Sequence, residues 1–151
     1  MSVQEDLKRV ADKTKAQFLA RYFKTGIGEY AEGDIFIGVV VPAQRIIAKK
    51  YNNLPFSEIG KLVQSLIHEF RLTGLLILTY QFARADEKIK KTIYDFYLAH
   101  TKYINNWDLV DLSSHEIVGG WLLSHPKERS ILRVLAKSKN FIWCANKRLL
   151  Q

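Results

Sequence analysis

The segment 68–83 carries Leu72, Leu75, Leu76, Tyr80 and Phe82 nearly all the way round a helical wheel. A helix that is apolar on every side has no face to turn to water, so it belongs at the centre of a fold with other elements packed around it. Its neighbours in the sequence are helical too. Over 3–23, Leu7, Val10, Ala11, Thr14, Phe18, Leu19 and Tyr22 recur at helical spacing, which predicts one long amphipathic helix. Four glycines and a β-branched run break the period in "KTGIGEYAEGDIFIGVVVP", and only "DIFIGVVV" within it reads as a short strand. Pro42 opens a helix marked by Ile46, Ile47 and Tyr51, because a missing N–H costs nothing in a first turn. A short helix is expected from Pro55 to about Gln64. Asp86 and Glu87 open another, as acids near the positive end of a helix dipole should, and it runs to about His100 with Ile89, Ile93, Phe96 and Tyr97 inward. "SSHE" reads as a capping box in which Ser113 caps and Glu116 reaches back, starting a helix that ends near Leu123. Pro126 opens the next, and Ser138 caps a last one holding Phe141, Ile142 and Trp143. About eight short helices on short loops predict an all-α fold, a HEAT-like or ARM-type helical repeat solenoid formed by residues 1–151 as one domain. A globular helical bundle is the alternative arrangement.

The chain of 151 residues is 48 % hydrophobic and 25 % charged, enough for a core without covalent staples and against wholesale disorder. Its one cysteine, Cys144, has no internal partner, which fits a reducing compartment. No apolar run approaches a membrane span and "MSVQEDLKRV" lacks a signal-peptide core, so the expected location is the cytoplasm. The net charge of +8 favours a polyanionic partner, nucleic acid before an anionic membrane surface.

Several stretches imitate motifs. "GIGEYA" satisfies a loose dinucleotide pattern, but a helix precedes it where a strand is required. "HEFRL" lacks the second histidine of a zincin, since position 72 is leucine. His68, His100, His115 and His125 have no cysteine or carboxylate at ligand spacing, so no metal site is expected. Cys144 lies on an apolar helix face and reads as a buried thiol.

Two features point to function. No acid follows Glu128, whereas Arg129, Arg133, Lys137, Lys139, Lys147 and Arg148 do, and Arg129, Arg133 and Lys137 are spaced to share one helix face. A solvated face usually mixes signs, and a single-sign stripe suits a phosphate backbone, with Arg45, Lys49 and Lys50 available to extend it. In "INNWDLVDLSSHEIVG", Asp111 lies four residues after Trp107, so on a helix both face one way, whereas Asp108 points elsewhere. Either Trp107 is core and one acid is a helix cap, or a carboxylate is held against an aromatic platform that faces a polyanion. In the second case it would stabilise a developing cation or orient water against one.

The stretches "YFKTGIGEYAEGDIFIGVVVPAQRIIAKKY", "IHEFRLTGLLIL" and "INNWDLVDLSSHEIVGGWLL" resemble the AlkD-like DNA alkylation repair family of HEAT-like repeat DNA glycosylases. The resemblance runs from about Tyr22 to Trp143, and the W-D-x-V-D element is its most specific part. It implies helical repeats curved around duplex DNA, hydrolytic removal of positively charged N-alkylated purines without the flipping most glycosylases need, and no metal or organic cofactor. By motif match it makes Asp111 the catalytic carboxylate, places Trp107 against the sugar at the lesion, and gives Tyr22 a DNA contact on the same concave surface. The basic residues Arg129, Arg133, Lys137 and Lys139 are the expected backbone contacts. There are two departures. Asn146 stands where family members carry a DNA-facing arginine, and the chain stops at Gln151, before further family helices. A shortened member is expected to bind DNA less tightly, to be weakly active or inactive, and to self-associate through an exposed C-terminal apolar face. The alternatives to a glycosylase are a non-catalytic DNA-binding helical-repeat protein and a protein-interaction scaffold.

Overall fold

The structure, a computed structural model, describes residues 1–138. The expected last helix with Phe141, Ile142 and Trp143, and the expectations for Lys139, Cys144 and Asn146, lie outside the described residues. The fold is an all-α helical repeat fold. Its helices are α1 (Val3–Arg9), α2 (Lys13–Tyr22), α3 (Val41–Lys50), α4 (Phe56–Val63), α5 (His68–Arg84), α6 (Glu87–Ala99), α7 (Trp107–Ser114), α8 (Gly120–Ser124) and α9 (Ile131–Ala136).

α5 is the axis. Every residue from His68 to Thr79 is buried, and the helix packs against α3, α4, α6 and α7. Gly74 lets α4 come close, since a Cβ there would sit 3.0 Å from that of Leu62. α6 begins where expected: Asp86 accepts the Ile89 N–H at 2.9 Å. Ile93 and Tyr97 point inward from it, while Ile89 is exposed and Phe96 half-buried.

The single helix expected over 3–23 is two. Asp12 caps α2 by accepting the Lys15 N–H, and its own N–H donates to the Ile37 carbonyl at 3.0 Å. A long-range backbone bond therefore fixes the break. α2 buries no residue fully. Ala16, Leu19 and Ala20 rest on a small second core of Phe23, Ala31 and Phe36, which leaves Phe18 and Tyr22 outside although their spacing matched an inward stripe.

"DIFIGVVV" is not a strand: among the described residues the β pairing is one isolated bridge, Ile35 to Ile67. Gly38 turns the chain with φ +83°. The N–H groups of Ile37, Gly38 and Val39, which a sheet ladder would use, all donate to the Glu69 carboxylate.

The capping box is also corrected. Ser113 lies inside α7, buried, donating to the Leu109 carbonyl and lying 2.7 Å from the Tyr97 hydroxyl. The helix begins seven residues earlier than that motif implied, at Trp107 with Asn106 in the cap position, and runs through a π-helical turn (His115–Gly119) into α8. Glu116 meets the His115 ring at 3.1 Å instead of reaching back. The helix expected from Pro126 is a 3-10 turn, Pro126–Glu128, followed by the short α9.

Candidate functional site

The N-terminus of α7 builds the site. Asn106 takes the extended N-cap position without a side-chain cap bond, and Trp107 is the first helical residue. The indole is 39 % exposed. It rests on Phe23 with ring centroids 5.4 Å apart and meets Tyr22 edge-on at 6.2 Å. Tyr22 is 55 % exposed and in turn stacks on Phe18, which is 65 % exposed, at 6.1 Å. Burial pushes the hydroxyl of Tyr30 up from its ordinary pKa. The result is a surface row of aromatic rings, assembled from the end of α2 and the start of α7.

The two acids of W-D-x-V-D part company here. Asp111, one turn beyond Trp107, is half-buried, and its carbonyl oxygen accepts from His115 Nδ1 at 3.1 Å. Asp108 is buried, with Oδ2 2.7 Å from His68 Nε2. Neither acid caps α7, and Trp107 is not core. This removes the packing-and-cap interpretation of the stretch.

Beneath the platform lies a chain of buried charges. His68, 2 % exposed, is the first residue of α5. Its Nδ1 is 3.5 Å from Asp34 Oδ2, the oxygen that also accepts from Arg71. Phe36 and Phe23 stack on the imidazole at 4.6 and 5.2 Å. Burial opposes the charged imidazole, yet the hydrogen bond to Asp108 and the nearby Asp34 carboxylate outweigh it, and the His68 pKa is raised. Burial likewise opposes the Asp34 carboxylate, but His68 and Arg71 hold its pKa below the usual value. Sequence reasoning assigned "HEFR" no role. The available signal was three charged residues in the first turn of an otherwise apolar helix.

A mostly apolar cavity of about 320 Å³ adjoins the platform between α2 and the start of α3. Phe18, Tyr22, Phe23 and Val40 line it, with His68 and Asp108 among its deeper residues. Among the described residues no group of three or more His, Cys, Asp or Glu is arranged to hold a metal ion. No helix among them is long and apolar enough to cross a membrane.

The basic residues are dispersed. Arg129, Arg133 and Lys137 are exposed, but only Arg133 lies within α9; Arg129 is in the preceding turn and Lys137 at the C-cap. They do not share one continuous α-helix as expected, because the 3-10 turn shortens it. Lys50 is committed to Asp6 at 2.6 Å, whereas Lys49 is exposed and Arg45 half-buried.

A family model described as DNA alkylation repair enzyme matches residues 3–145. No curated protein and no solved structure matches the chain.

Proposed function

Since the chain belongs to the DNA alkylation repair enzyme family, we propose that it is a glycosylase that releases N-alkylated purines from duplex DNA by hydrolysis. The observation that carries this is the Trp107–Asp111 pair: an exposed indole held edge-on to Tyr22, with a carboxylate one turn away on the same helix. Trp107 and Tyr22 lie against the sugar-phosphate backbone at the lesion. The C1′–N bond breaks, and the base leaves with the bonding electrons, which neutralise its positive charge. The positive charge that develops on the deoxyribose faces Asp111. Water adds to C1′ and passes a proton to that carboxylate. The exposed Arg129, Arg133 and Lys137 contact phosphates and position the duplex without reading sequence.

The test is release of alkylated purine from a duplex holding one such lesion, wild type against Asp111→Asn. The reading expects release by wild type alone, with DNA binding retained in the variant. Equal release by both, or by neither, sinks it.

A further inference from the structure

We propose that His68 is a positioning residue for this site, holding the start of α7, and with it Trp107, in register against the central helix α5. The proposal rests on the glycosylase reading for its catalytic consequence and on geometry alone for the placement of Trp107.

Three contacts converge. The 2.7 Å bond from His68 Nε2 to Asp108 Oδ2 ties the first residue of α5 to the residue that follows Trp107. Phe23 stacks on His68 at 5.2 Å and lies against Trp107 at 5.4 Å, so one ring touches both. Asp34 faces the other imidazole nitrogen from the loop before α3. α5 is the most buried helix among the described residues and cannot shift without moving the core. What is anchored to its first turn is therefore anchored to the whole molecule.

The charged groups around the ring are few. Asp108 faces it from α7 and Asp34 from the loop, while Arg71, on α5 itself, reaches it through Asp34. Glu69, also on α5, is committed to the N–H groups of Ile37, Gly38 and Val39. From the end of α2 and from the loop, Phe23 and Phe36 contribute only uncharged faces. With His68 protonated, two cations balance Asp34 and Asp108. With His68 neutral, the buried cluster keeps one uncompensated negative charge, and the two carboxylates repel across the ring. The start of α7 then loses its charged tether, and Trp107 moves relative to Tyr22.

The experiment uses the full chain labelled with fluorotryptophan, the Trp107 resonance being assigned with Trp107→Phe. In wild type that resonance is expected to shift with pH, with a midpoint above the ordinary histidine value of 6.5. His68→Gln, which keeps a hydrogen-bond donor but no charge, abolishes the shift. His115→Gln, one turn beyond Asp111, leaves it. A wild-type resonance that does not move, or one that moves equally in His68→Gln, overturns the proposal. If His68→Gln does not fold, Asp108→Asn takes its place, and a wild-type Trp107 resonance at every pH in that variant overturns it equally. In the excision assay, His68→Gln should lower kcat about 100-fold, the scale of a 1 Å misplacement, with KM for the duplex nearly unchanged. Unchanged kcat in His68→Gln, with wild type active, rejects the positioning role and leaves the glycosylase reading intact. Absence of release by wild type, with the Trp107 shift present and lost in His68→Gln, rejects the glycosylase reading and supports the placement.

Discussion

Trp107 meets Tyr22 edge-on, ring centroids 6.2 Å apart at 65°, and both rings remain substantially exposed. Two large aromatics that touch each other without being buried gain little for the core and present a rigid apolar surface to something outside it. Beside them, adjacent residues of one helix divide the work. Trp107 faces out, and Asp108 turns in to His68.

That division predicts opposite phenotypes for the two aspartates. Asp111→Asn, a change of the same size at a half-buried carboxylate, should abolish base release and cost less unfolding free energy than a change inside the buried cluster. Asp108→Ala should cost about 3–5 kcal/mol, because it leaves the His68 charge buried without its partner. Urea unfolding beside the excision assay separates the two.

The buried cluster makes stability depend on pH at both ends. His68 has a raised pKa, so its contribution is complete below its unfolded value of 6.5 and is lost as pH rises through the higher folded value. Asp34 has a lowered pKa, so its contribution is present above 3.8 and is lost as pH falls through the lower folded value. Unfolding free energy measured against pH should fall on the alkaline side in wild type but not in His68→Gln. It should fall on the acid side less steeply in Asp34→Asn.

The loop held by Glu69 predicts a ranking of glycines. Gly38 has φ +83°, and a Cβ there would lie 2.0 Å from the Asp12 carbonyl oxygen. Gly28 has φ +78° with nothing within 4 Å. Gly28→Ala should cost about 1–2 kcal/mol, the left-handed penalty alone. Gly38→Ala should cost clearly more, since the backbone of α2's cap must also move. Urea midpoints of the two variants test the order.

DNA affinity should fall with salt. Arg133→Ala and Lys137→Ala should each reduce the slope of log affinity against log salt by about 0.9 if each neutralises one phosphate. Lys50→Ala should leave the slope unchanged, because that ammonium already has Asp6 at 2.6 Å. Fluorescence-anisotropy titrations at several ionic strengths decide between these outcomes.

Much of the fold was legible because its signals are local. The all-round apolar character of 68–83 correctly made α5 central, and Asp86 marked the start of α6 through a bond to an N–H three residues on. The errors arose where a distant group decided. The break between α1 and α2 is held by the Ile37 carbonyl, and Gly38 with Glu69 prevents a strand at 35–39. "SSHE" matched a capping pattern, but Ser113 was already inside a helix begun at Trp107. At the site, spacing placed Trp107 and Asp111 on one side and Asp108 on another. It gave no sign that Asp108 would find His68, forty positions earlier in the chain.

What the sequence determined by itself is the helical class, the central helix, and the order of Trp107, Asp108 and Asp111 along one helix, all set by periodicities of a few residues. Only the tertiary structure decided which aromatics stay outside and which acid is buried. Helical spacing fixes the angle between side chains but not where that helix is rotated against its neighbours. Packing against α5 sets the rotation of α7, and the bond between His68 and Asp108 is where the two helices meet.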